Sequence, residues 1–166
     1  MQRVWRAALM GPLAVALIVT PLLAQESFDG TYTGNVTRHP TDPSSIISIE
    51  DDTAVVTIDG STAGGHVQFV ALIDGNPGGY VTVVERATHW VDFSGTVSPD
   101  GSLEGSGLSF SSFEIVSCDG SDALCSAWKP RGGDLTGRPV TVMGSISGGA
   151  MQAEILWDGV APAFAF

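Results

Sequence analysis

Basic residues are scarce in this chain: 7 Lys and Arg stand against 18 Asp and Glu, for a net charge of −11. That balance excludes the ordinary nucleic-acid binder, which neutralises phosphates with clustered Lys and Arg, and it excludes adhesion to anionic lipid by charge alone. Cysteine is limited to Cys118 and Cys125. With no CxxC and no second thiol pair, a redox or zinc role is not expected, and no cofactor is expected either. Only 3 histidines are present, and neither a metalloprotease HExxH, a Gly-x-Ser-x-Gly elbow nor a phosphate loop occurs. Beyond residue 24 no apolar run reaches the about 20 residues of a spanning helix. Sustained helical periodicity is also missing there.

The first residues read as the three regions of a secretory signal. Arg3 and Arg6 supply the positive end, Ala7 to Leu23 carries no charge, and Leu22-Leu23-Ala24 offers a small residue at the cut. Residues 1–24 are expected to form a signal helix that is removed, leaving residues 25–166 as a single exported domain, periplasmic or extracellular. Gly11-Pro12 interrupts the apolar run, which disfavours an uncleaved membrane anchor. Seven bases less Arg3 and Arg6 leave five against the same 18 acids. An oxidising compartment makes a local disulfide between Cys118 and Cys125 the default.

The remaining sequence alternates β-branched with polar residues and is punctuated by glycine, with 21 in all. This is the pattern of short strands joined by turns. Turns are expected at Asp59-Gly60-Ser61, Asp74 to Gly79, Pro99-Asp100-Gly101, Ser147-Gly148-Gly149 and Asp158-Gly159. Strands are expected at Gly30–Thr37, Ala54–Ile58, His66–Ile73, Leu103–Phe110, Phe113–Ser117, Pro139–Ser147, Ala150–Trp157 and Val160–Phe166. Tyr80 to Val97 is long for one strand, and a bend or hairpin is expected near Glu85-Arg86-Ala87-Thr88. Ser126 to Gly137 reads as an exposed loop. The expected fold is all-β: an antiparallel meander of about eight strands closing into a small up-and-down barrel to remove its edges. A two-sheet sandwich is the alternative.

A short pattern recurs at Gly34-Asn35-Val36-Thr37, Gly95-Thr96-Val97-Ser98 and Gly144-Ser145-Ile146-Ser147. The later two copies lead into glycine-centred turns, and the copies look like one hairpin solution used several times in a meander. Val91-Asp92-Phe93-Ser94-Gly95-Thr96-Val97, leading into Gly101 and Leu103, resembles a hairpin of the small barrels in transferrin-binding-protein-like surface proteins of bacteria. The likeness spans that hairpin and implies a barrel, not an activity.

Candidate contact residues are Glu85, His89 and Trp128. Were Tyr80–Val97 straight, Glu85 and His89 would share a face with Val81, Val83, Val91 and Phe93, although about 13 Å apart. Trp128 lies in a polar loop beside the disulfide, where an exposed indole could stack on a sugar or meet a partner. Trp90 and Trp157 are expected in the core. Glu50-Asp51-Asp52 and the pair Asp119 and Asp122 match no calcium-loop spacing, so solvated acids are expected. The functional expectation is an exported, non-catalytic domain that binds a small ligand, a glycan or another envelope protein. A small outer-membrane barrel and an exported hydrolase with an unmarked site are the alternatives.

Overall fold

The computed structural model describes residues 27–39, 43–130, 132–157 and 162–166. The expected signal helix and the Asp158-Gly159 turn lie outside these residues. Strands β1 (Gly30–Gly34), β2 (Ile46–Asp59), β3 (Thr62–Asp74), β4 (Thr82–Val97), β5 (Ser102–Asp119), β6 (Asp134–Ser147), β7 (Ala150–Trp157) and β8 (Pro162–Ala165) follow one another, with a short helix α1 (Asp122–Ala127) between β5 and β6. They form one 8-stranded sheet in chain order, with every neighbouring pair antiparallel. The meander is thus a single sheet, curled into a half-barrel, and not a two-sheet sandwich. Its ends meet at one place: Arg38, just beyond β1, bridges Ala165 of β8, and the Thr37 amide donates to the Ala165 carbonyl at 2.7 Å.

Alternation decides what lies inside. Val67, Phe69, Ala71 and Ile73 of β3 and Val83, Ala87 and Val91 of β4 are fully buried, because successive strand residues point to opposite faces. Val142, Ile155 and Phe164 complete the interior from the far strands. The apolar area so removed from water stabilises the curl at roughly 25 cal/mol per Å².

The expected bend at Glu85–Thr88 does not occur. β4 runs 16 residues without interruption, with only a register irregularity between Val84 and Glu85. Its charged residues fit because Glu85 turns inward while Arg86 turns out between Glu50 and Glu114. β5 is likewise one 18-residue strand, not two. β2 begins at Ile46, well before the expected Ala54, and the acid triplet lies within it.

The two later copies of the recurring glycine pattern acquire a reason here, whereas a Cβ on Gly34, in the first copy, would meet nothing within 4 Å. Gly95 and Gly105 face each other across β4 and β5. A Cβ on Gly95 would stand 2.3 Å from the Glu104 carbonyl oxygen, and one on Gly144 would stand 2.5 Å from that of Gln152. Side chains are excluded where the backbones of neighbouring strands approach this closely.

Candidate functional site

β2–β3, β4–β5 and β6–β7 close through short turns at one end of the sheet. At the opposite end lie the longer connections between β1 and β2, β3 and β4, and β5 and β6, together with the four residues that join β7 to β8. This second end, with its long loops, is where fold geometry presents variable surface on a rigid frame.

The loops there are tied down. Cys118 and Cys125 are bonded, and the Ser121 side chain caps α1 by accepting from the Leu124 amide. The bridge leans on the neighbouring loop: a Cβ on Gly120 would lie 2.9 Å from a Val81 methyl and 3.6 Å from the Cys125 sulfur. Asn76 donates to the Val81 carbonyl at 2.9 Å, which folds the β3–β4 loop back on itself. On that loop Tyr80 is fully exposed. Trp128 follows α1; its amide reaches the Leu124 and Cys125 carbonyls. Its ring is half-buried, and the indole N–H is buried without an acceptor.

Glu85 and His89 do share the inward face, as a straight β4 requires. Glu85 is fully buried and lies beneath Gly75, whose added Cβ would come within 2.8 Å of the Glu85 carboxyl carbon. His89 sits one layer deeper, 7 % exposed, among aromatic rings. Phe69 stacks at 6.1 Å, Phe113 meets it edge-on at 5.5 Å and Phe164 at 6.4 Å. Burial pushes the imidazole pKa down to about 4, because the apolar setting disfavours the cation. His89 Nε2 and the Trp157 indole N–H are both buried without a hydrogen-bond partner. The two polar residues are therefore stacked along the strand and do not converge on one atom.

Sequence reasoning passed over His39. Its ring centroid lies 4.4 Å from that of Phe69, and its Nε2 is 2.7 Å from Asp52 Oδ2. Asp52 also accepts from the Val36 amide, so the carboxylate fastens the chain beyond β1 to β2. Nothing local in the sequence marks this pair, whose members are joined only by the pairing of strands. The acid triplet is divided in the same way: Glu50 binds Arg86, Asp51 accepts from Gln68 at 2.7 Å, and Asp52 serves His39. His66 faces outward and meets Asp92 at 2.7 Å. Trp90 is outside too, stacked on Phe110 at 5.4 Å, contrary to its expected core position. Its register partner in β5 is that same Phe110, and the odd–even parity of a straight β4 places both rings on the outer face. Trp157 does pack on the core.

The chain matches no protein-family model, no curated protein and no solved structure.

Proposed function

We propose that residues 25–166 are an exported, non-catalytic binding domain that meets another envelope protein through the long-loop end. The observation that carries this reading is the segregation of connections. The three longest connections lie at one end, where the disulfide-held α1 loop and the Tyr80 loop stand together. The interior supports a surface contact over an enclosed small molecule. Phe69, Ile73, Val83, Val91, Ile155 and Phe164 have no accessible surface, so no space large enough for water lies against them. Charged and polar outward positions such as Arg86, Glu114, Gln68 and Asp92 favour an exterior in water over one in lipid.

The test is site-specific photocrosslinking in the source cells. A photoreactive residue at position 80 is expected to give one discrete protein adduct, lost when Trp128→Ala is added. The same probe at Asp100, in the β4–β5 turn on the short-turn end, is expected to give none. Equal adducts from both ends, or none from position 80, would overturn the reading. A chain that needs detergent to fold would instead favour the membrane barrel.

A further inference from the structure

The curled sheet leaves a slot along its seam. β8 lies between β7 and the chain beyond β1, bonded on one side through Phe166 and Ala153 and on the other through Thr37 and Arg38. At that level the seam is therefore one strand wide. β8 ends there, whereas β1 and the first half of β7 continue toward the short-turn end. Between them is a groove of about 470 Å³ whose walls include Tyr32, Ala54, Val56, Ala150, Met151 and Phe166.

Both walls are strand edges. Among the described residues, β1 pairs only with β2, and Ala150 to Gln152 pair only with β6. Because the Ala153 backbone faces β8 through both its N–H and its C=O, the same groups of Met151, two residues earlier, face the groove. β1 and β7 run in the same direction, being an even number of antiparallel steps apart. A single strand between them is thus antiparallel to both, in line with β8. Natural edges usually carry lysine, proline or a bulge that discourages such pairing. Here the β1 edge is Gly-Thr-Tyr-Thr-Gly, and a Cβ added at Gly30, Gly34 or Gly149 would meet nothing within 4 Å. The floor is apolar, with Ala54 and Val56 buried and Tyr32, Met151 and Phe166 packed against the core.

We infer that this slot accepts one extended segment of a partner polypeptide as an added strand, running in the direction of β8. Backbone pairing to β1 and Met151 holds it, and alternate small or β-branched side chains of the segment cover the half-buried Tyr32, Met151 and Phe166. The protein's net charge of −11 favours a segment free of acids. Phe28 does not compete for the slot, since its ring lies 3.2 Å from the position of a Cβ on Gly101, under the β4–β5 turn. This surface is separate from the long-loop end, and its test does not depend on that reading.

The probe is a labelled peptide of alternating valine and threonine between terminal lysines. Expected results are saturable binding and slowed amide exchange at Thr31, Thr33 and Met151, whose N–H groups face the slot. Met151→Pro removes the N–H facing the slot and is expected to weaken binding about tenfold. A second variant extends the chain directly after Phe166 with the same valine–threonine sequence, which should occupy the slot itself and abolish peptide binding. A glycine–serine extension of equal length should leave binding unchanged. Absence of saturable binding would overturn the inference. So would protection confined to the long-loop end, or binding that survives the valine–threonine extension. That extension decides the matter even where Met151→Pro fails to fold.

Discussion

His89 is held as a neutral imidazole between phenylalanine rings, and its depressed pKa has a stability consequence. In the unfolded chain the ring binds a proton near its ordinary value of 6.5, whereas in the fold it does so only near 4. Protonation therefore favours the unfolded state, and stability falls as pH drops through the window from about 6.5 to 4. The loss attributable to this one group amounts to as much as ~3 kcal/mol. Replacing it by an apolar side chain, His89→Leu, is expected to flatten the urea-melting midpoint across that window. A variant that loses stability on acidification as steeply as the parent would contradict this account. Buried polarity of this kind was only half legible. Residue spacing put His89 and Glu85 on one face if β4 were straight, but the straightness depended on partners in β3 and β5 that one sequence does not display. His39 left no signal at all, because its aspartate is brought to it by strand pairing.

At the scale of elements, β4 and β5 come close together at glycines that face one another. A Cβ on Gly105 would stand 2.8 Å from the Ser94 carbonyl oxygen and 3.2 Å from Gly95 Cα. Gly105→Val is expected to cost about 3 kcal/mol through forced separation of β4 and β5, measurable as a lowered chemical-denaturation midpoint with the native far-UV spectrum retained. The α1 loop is the other restrained element. Cys118→Ser with Cys125→Ser releases a short closed loop and is expected to cost roughly 2–3 kcal/mol. Faster amide exchange should appear over residues 119–128 and leave β3 and β4 unaffected; acceleration spread through the sheet would contradict a local role. The hairpin turns at Gly60, Gly101 and Gly148-Gly149 were legible because positive φ at these glycines has a chemical signature. The start of β2 was not. Register irregularities between Ile46 and Ser48 and between Ile49 and Asp51 disrupt the alternation that identifies a strand. The acid triplet beside them then reads as a turn. The supposed bend in β4 came from the same source: Glu85 and Arg86 look like a polar break, but one goes to each face.

For the whole molecule, removal of residues 1–24 predicts a mature chain beginning at Gln25, checked by the intact mass of the exported protein. The expected mass includes the loss of two hydrogens for the Cys118–Cys125 bond; a mass retaining the leader would leave Arg3 and Arg6 on the domain and contradict export by cleavage. The all-β class and the meander were legible as a whole, since hairpin chemistry recurs between alternating segments. How far the sheet closes was not, because that depends on the meeting of Ala165 with Thr37 and Arg38 across the length of the chain. This strict neighbour-to-neighbour order also governs how the domain bears tension. β1 and β8 are the first and last strands among the described residues and are joined at the seam through Thr37, Arg38 and Ala165, so a pull on the two ends of the sheet loads that contact and the outermost ladders before any inner one. Strands then peel away singly, bond by bond, and no ladder shares its load with another across the sheet. A domain stitched in this order is suited to holding a shape at rest and poorly suited to serving as a tether under force.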